Sequence, residues 1–63
     1  MLIPEAKRYL GMHCAVTFRD RRGDEITKNL HVQDVQFVPL YGAYLIGDIE
    51  DVCLDRVTGI NTL

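Results

Sequence analysis

Apolar and polar residues alternate with a period of two along most of the chain after residue 12. In the segment 13–19 the residues at every second position form an apolar face: Cys14, Val16 and Phe18. Such alternation is typical of a half-buried β-strand. The polar run that follows contains Gly23, a residue suited to a turn position with positive φ. The pattern therefore predicts a β-hairpin with strands at 13–19 and 25–32.

The apolar phase changes in the middle of the chain. Before the change, one face of the second strand carries Ile26, Lys28, Leu30 and Val32. After it, the apolar positions fall on odd numbers, at Val35 and Phe37. One extra residue near Gln33–Asp34 explains the shift, and it predicts a β-bulge that bends the chain. A third strand is predicted at 34–40.

The remaining elements are short. A tight turn at Tyr41–Gly42 leads to a fourth strand at 43–47, and a fifth strand is predicted at 52–54. Residues 55–59 are predicted to form a turn, after which Ile60 returns to the core. At the N-terminus, 4–10 is predicted to be a helix because its apolar residues fall on one face and Gly11 follows as a stop signal. That face consists of Ala6, Tyr9 and Leu10.

Five short strands and a short helix in 63 residues predict one mainly β domain spanning 1–63. We expect a strongly bent, five-stranded antiparallel sheet that closes into a small barrel, because a flat sheet would leave two long edges open. A domain of this size is marginally stable alone and commonly depends on a disulfide, a metal or a partner subunit.

Composition narrows the functional classes. The chain is 48% hydrophobic and carries a net charge of −2, which argues against disorder and against a generic polyanion binder. It has no apolar run of the ~20 residues that a membrane helix needs, so we predict a cytoplasmic protein with no membrane contact. It contains no serine and no glycine-rich phosphate loop, so Ser-His-Asp chemistry is excluded. We predict a non-enzymatic protein without a cofactor.

Three segments resemble a known group of folds. The stretch from Val52 to Ile60, with sequence VCLDRVTGI, is similar to the closing strand and turn of two Sm-like groups. These groups are the Rof-type inhibitors of the transcription terminator Rho and the WYL domains of bacterial regulators. Tyr44–Leu45 after the Gly42 turn, and the hairpin from Val16 to Asp24, also resemble segments of those groups. The resemblance implies a small Sm-like or SH3-like barrel that contacts RNA or a protein of the transcription machinery.

Basic residues gather around the first hairpin. Arg19, Arg21 and Arg22 surround its turn, and Lys28 follows on the next strand. Arginines at a loop tip can bind phosphate groups through paired hydrogen bonds, so these four residues are a candidate contact for nucleic acid or an acidic partner. Acidic residues alternate with them, and a solvated hairpin tip with weak ion pairs is the alternative interpretation.

The segment from Val35 to Ile46 is apolar on both faces. One small barrel has one interior, so the second face needs another cover. We predict a homo-oligomer that uses this face. Its candidate interface residues are Val38, Leu40, Tyr41, Tyr44 and Ile46. In the alternative interpretation, the N-terminal helix covers the face instead.

Potential metal ligands are few. His13 and His31 lie on adjacent strands of the predicted hairpin and are expected to face each other. Alternation places His13 and Cys14 on opposite faces, which opposes a zinc site built from histidines and cysteines, so we predict no metal site. The acidic run near the fifth strand lacks the order of a calcium loop and is expected to be solvated. It comprises Asp48, Glu50, Asp51 and Asp55.

The sequence is compatible with three functional hypotheses. The first is a non-enzymatic binding or adaptor module that contacts RNA or a transcription-related protein as a homo-oligomer. The second is an assembly protein that makes only protein contacts. The third is an enzyme whose active site forms between subunits, in a pocket that would include Tyr41 and Tyr44.

Overall fold

The computed structural model describes all residues from 1 to 63. It contains one short α-helix, two 3-10 turns and five strands. In chain order these are α1 (Ile3–Ala6), a 3-10 turn (Lys7–Tyr9), β1 (His13–Arg19), β2 (Glu25–Val38), β3 (Gly42–Gly47), β4 (Asp51–Cys53), a second 3-10 turn (Leu54–Arg56) and β5 (Val57–Thr62). None of the helices has the length and apolar character required to span a membrane.

The five strands form one antiparallel sheet in the order β4-β3-β2-β1-β5. The long strand β2 belongs to two halves of this sheet: its first half pairs with β1 and its second half pairs with β3. Strands β4 and β5 each pair with one neighbour, and no pairing joins them to each other. The mainly β, five-stranded antiparallel architecture predicted from the sequence is confirmed, and in the structure the sheet is open rather than closed by hydrogen bonds.

The β1–β2 hairpin is confirmed, and its turn is stabilised by an aspartate. The Asp20 carboxylate accepts the backbone N–H groups of Arg22 and Asp24 at 2.8 and 3.0 Å. The Gly23 N–H donates to the Asp20 carbonyl at 3.1 Å, and Gly23 has a φ of 86°. Glycine adopts this conformation without steric cost, whereas a side chain there would be strained. The turn therefore needs both Asp20 and Gly23.

The bulge predicted near Gln33–Asp34 is also confirmed. The register of β2 against β3 shifts between Val32 and Asp34, so Gln33 is the additional residue. Leu30 and Val32 are buried before the shift, and Val35 is buried after it. The strands predicted at 25–32 and 34–40 are nevertheless one strand, Glu25–Val38, because the bulge bends the chain without interrupting the pairing. The end predicted at residue 40 is wrong, since 39–41 belong to the next turn.

The segment predicted as a closing turn at 55–59 contains a strand that sequence reasoning missed. A 3-10 turn occupies Leu54–Arg56, and β5 then runs from Val57 to Thr62 beside β1. The register shifts between Thr17 and Phe18, opposite Gly59 and Val57. This irregularity and the glycine interrupt the alternation, so the local pattern resembles a turn. The number of strands is five as predicted, but the set of strands differs.

The N-terminal helix is shorter than predicted and changes type. The segment 4–10 is replaced by one α-helical turn at Ile3–Ala6 and a 3-10 turn at Lys7–Tyr9. Ala6 is fully buried and Tyr9 packs against the core, as the predicted apolar face requires. Leu10 lies beyond the helix with 41% of its surface exposed, because the change to 3-10 geometry rotates it away from that face.

One hydrophobic core connects the two halves of the sheet. It contains eleven buried residues and includes no buried polar side chain. The members come from α1, all five strands and the second 3-10 turn, and the largest fully buried ones are Leu30, Leu45 and Leu54. The inner faces of both halves therefore enclose the same core, which requires the sheet to bend at the bulge of β2.

Candidate functional site

The end of β2 and the turn that follows it carry exposed apolar side chains. Phe37 is 66% exposed, Tyr41 is 72% exposed, and Leu40 is fully exposed. The Tyr41 N–H donates to the Val38 carbonyl at 3.0 Å, which defines a β-turn with Pro39 and Leu40 at its centre. We call residues 37–41 the apolar tip.

Leu40 occupies an unusual backbone conformation in this turn. Its φ is 74°, and it is the only residue other than glycine with a positive φ. Proline at the second position and positive φ at the third are the pattern of a type II turn, which strongly favours glycine or asparagine at the third position. A leucine there is disfavoured by about 1–2 kcal/mol. The side chain gains nothing within the chain in return, because it is fully exposed.

The outer face of the second half of the sheet carries apolar side chains among polar ones, since Asp34 and Asp51 flank Ile46 and Gln36 lies opposite Tyr44. In the β2–β3 and β3–β4 pairs, Val38, Tyr44 and Ile46 fall on the face opposite to Leu45, a core residue. All three are half-buried. The N-terminal helix does not cover this face, because its buried residue Ala6 belongs to the core on the inner side. The alternative interpretation, in which the helix covers this face, is wrong.

The structure brings the predicted interface residues into one region. Val38, Tyr44 and Ile46 form the outer face, and Leu40 and Tyr41 extend it at the apolar tip. Sequence reasoning missed Phe37, whose position in the alternation matches the core residue Val35. Phe37 lies at the end of β2 beyond the core, so the alternation gave the correct face but not its exposure.

The three arginines at the first hairpin are exposed and have no ionic partner. Arg19 ends β1, and Arg21 and Arg22 lie in the turn. Glu25 is opposite Arg19 in the strand register, yet no ion pair forms between them. The Asp20 carboxylate is occupied by backbone N–H groups. The weak local ion pairs expected in the alternative interpretation are therefore absent from the structure.

Lys28 is separated from these arginines. Its register partner is the core residue Val16, so it lies on the inner face of β2, whereas Arg19 lies on the outer face. Lys28 also forms the one ion pair of the structure, with Glu50. The predicted basic cluster is therefore reduced to three arginines, because a strand places residues of opposite parity on opposite faces.

The acidic run has structural roles for two of its members. Glu50 pairs with Lys28, and Asp48 accepts the His31 backbone N–H at 3.0 Å. This hydrogen bond lowers the pKa of Asp48. Asp51 and Asp55 are exposed. Two residues of the acidic run therefore contact β2, and the other two are exposed to solvent.

The second aspartate with a lowered pKa lies at the bulge. The side-chain amide of Gln36 donates to the Asp34 carboxylate at 2.8 Å, and the Val35 N–H donates to it at 2.7 Å. These two hydrogen bonds lower the pKa of Asp34. The carboxylate thereby satisfies a backbone donor at the point where the bulge disturbs the register of β2.

His13 and His31 face each other on the outer face of the hairpin. They are register partners, with ring centroids 4.7 Å apart and ring planes at 62°. The proximity expected from the sequence is confirmed. Cys14 is buried in the core on the opposite face, and Cys53 is half-buried on β4. No group of three or more histidine, cysteine or acidic side chains is present that could hold a metal ion.

The chain has no significant match to a protein-family model, to a curated protein or to a solved structure.

Proposed function

We propose that this protein is a non-enzymatic binding module that associates with copies of itself through the apolar tip and the outer face of the second half of the sheet. The observation that carries the proposal is Leu40, which is fully exposed at a positive φ. This backbone conformation is unfavourable for leucine, and Leu40 belongs to a group of exposed apolar side chains with Phe37 and Tyr41, which is typical of an interaction surface. Strained residues occur mainly where a functional contact uses them.

The neighbours of Leu40 support an interface rather than an isolated exposed residue. Phe37 and Tyr41 are aromatic, and aromatic residues are enriched at the centres of protein interfaces. Tyr44 and Ile46 add half-buried apolar side chains on the outer face, beside the polar register partners Gln36 and Asp34. An interface of ordinary size buries ~800 Å² per partner, which is roughly a fifth of the total surface of 4298 Å². The tip and the outer face together are a suitable location for such a contact.

We also propose that the bent sheet is a small Sm-like or SH3-like barrel. A short helix precedes five strands, and the bulged strand β2 is shared by both halves of the sheet, which supports this assignment. The segment Val52–Ile60, which carries the resemblance to Sm-like groups, includes β4, the second 3-10 turn and part of β5. The proposed self-association does not depend on this assignment.

Sedimentation velocity over a range of protein concentrations tests the association. We expect a species larger than the 7.2 kDa monomer at micromolar concentration. Leu40→Asn should shift the equilibrium toward monomer by at least tenfold, because burying a leucine at an interface contributes about 1.5–3 kcal/mol. Leu63→Asn is the matched control, since Leu63 is similarly exposed at the end of the chain. A wild-type protein that remains monomeric up to about 100 times this micromolar concentration would contradict the proposal.

A second candidate function rests on the unpaired arginines. Arg19, Arg21 and Arg22 present three guanidinium groups within four positions, none of which is neutralised by a carboxylate in the structure. We propose that this hairpin tip contacts the phosphates of single-stranded RNA, for which arginine geometry is well suited. The overall charge of −2 limits such binding to this local region.

Fluorescence anisotropy with labelled single-stranded RNA at low salt tests this second function. The double variant Arg21→Gln/Arg22→Gln should lose binding, while Arg8→Gln/Arg56→Gln should retain it. Both pairs are exposed and remove the same charge, so the comparison separates a local contact from a general charge effect. Equal losses for the two pairs, or no salt-dependent binding by the wild type, would reject the RNA contact.

A further inference from the structure

The two histidines of the chain form a defined pair on rigid strands. His13 lies in β1 and His31 lies directly opposite in β2. Their ring centroids are 4.7 Å apart, and the planes meet at 62°, so the rings are not stacked face to face. No hydrogen bond from either imidazole to another protein group is present, so the ring nitrogens are free for an external ligand.

Backbone contacts explain why the two rings are so close. The His31 N–H donates to the Asp48 carboxylate at 3.0 Å, and the His31 carbonyl accepts the Asp48 N–H at 3.2 Å. The backbone groups of His31 therefore point away from β1. His13 directs its carbonyl to Leu63 on the other side, at 2.9 Å. The pair consequently occupies a non-hydrogen-bonded position of the hairpin, where opposite side chains approach most closely.

We propose that His13 and His31 together bind a divalent transition-metal ion such as Zn²⁺, Ni²⁺ or Cu²⁺. Imidazole nitrogen is a preferred ligand of these ions, whereas Ca²⁺ and Mg²⁺ prefer oxygen. With metal–nitrogen bonds of about 2.1 Å, two imidazoles on one tetrahedral ion have ring centroids about 5 Å apart. The observed centroid separation of 4.7 Å is close to this value, so the spacing of the two rings suits a shared ion.

The chain supplies two ligands and leaves the other coordination positions open. Cys14 is directed into the core, and no third histidine, cysteine or acidic side chain completes a cluster. Water or an external donor group therefore fills the remaining positions, as in sites that are open to exchange. The hairpin holds the two histidine backbones opposite each other before the ion arrives, which reduces the entropy lost on binding.

Isothermal titration calorimetry with ZnCl₂ and NiCl₂ tests the site in the full chain. We expect one ion per chain, and we expect His13→Gln and His31→Gln each to weaken binding by at least tenfold. Cys53→Ala is the control for thiol binding and should leave the affinity unchanged, since Cys53 is on β4. A parallel NMR titration should shift the imidazole signals of both histidines together, because the chain has no others.

Several outcomes would overturn the proposal. These are absence of binding at millimolar metal, loss of binding in Cys53→Ala, or a shift of only one imidazole. Both histidine variants should fold like the wild type, because both side chains lie on the outer face away from the core. Their circular dichroism should match that of the wild type, and saturating Zn²⁺ should raise the melting temperature of the wild type but not that of either variant.

Discussion

Replacement of Leu40 should make the monomer more stable, although leucine is the more hydrophobic residue. The side chain is fully exposed, so its removal exposes no additional core. Its positive φ disfavours leucine by about 1–2 kcal/mol, whereas asparagine tolerates this conformation. We therefore expect Leu40→Asn to increase the free energy of unfolding by about 1 kcal/mol. For a domain of this size, that change raises the melting temperature by about 4–8 °C.

Two further variants at the same position separate backbone strain from side-chain effects. Leu40→Gly relieves the strain, but glycine also makes the unfolded chain more flexible by about 0.5–1 kcal/mol. It should therefore be stabilised less than Leu40→Asn. Leu40→Val should be destabilised, because a β-branched residue is more strongly disfavoured at positive φ. The expected order of stability is asparagine, glycine, leucine and valine.

Urea unfolding followed by circular dichroism should be measured at low protein concentration, where the monomer dominates. If self-association buries Leu40, the advantage of Leu40→Asn will decrease as the protein concentration rises, because association stabilises the wild type by mass action. A monomer of Leu40→Asn less stable than the wild type, or equal stability of Leu40→Val, would refute the reasoning on backbone strain. If the stability advantage of Leu40→Asn does not change with protein concentration, that result would contradict burial of Leu40 on association.

Three other residues give independent predictions. The His31 N–H lowers the pKa of Asp48. The stabilisation that Asp48 contributes is therefore present above its unfolded-state pKa near 4 and is lost as the pH falls through the lower folded-state pKa. Urea midpoints measured between pH 5 and pH 2 should decrease more steeply in the wild type than in Asp48→Asn. Lys28→Met should change the free energy of unfolding by less than about 1 kcal/mol in urea titrations, because its half-exposed ion pair contributes little and methionine retains the apolar contact. Burial raises the pKa of the Cys14 thiol, so iodoacetamide should modify it at least tenfold more slowly than Cys53 in mass spectra of the native protein.

The parts of the fold that could be predicted depend on local alternation. Cys14, Val16 and Phe18 are buried as their spacing indicates, and the phase change locates the bulge at Gln33. Strand β5 could not be found in this way, because Gly59 and the register shift interrupt its pattern. Its formation depends on the free edge of β1, which is more than 35 residues distant in sequence. A non-local partner of this kind leaves no local signal.

The candidate surfaces, like the fold, could be predicted from the sequence only in part. Sequence proximity grouped Lys28 with the three arginines, yet strand parity places it on the inner face beside Val16. Parity alone would have revealed this, since Lys28 shares the phase of Leu30. The positive φ of Leu40 could not be deduced with the same certainty, because proline followed by leucine is compatible with several turn types. Exposure of Phe37 depends on where the core ends, which alternation does not specify.

The bulge at Gln33 connects the core with the proposed interface. Because one residue is added, Val35 follows Val32 into the core even though their positions have opposite parity. The same shift directs Val38 to the outer face, where Tyr44 and Ile46 also lie. A sheet without the bulge would place Val38 inside and Val35 outside, and the second half of β2 would no longer match its neighbours. The extra residue that allows one core to form therefore also determines which apolar side chains remain outside it, so folding and the proposed association depend on the same local irregularity.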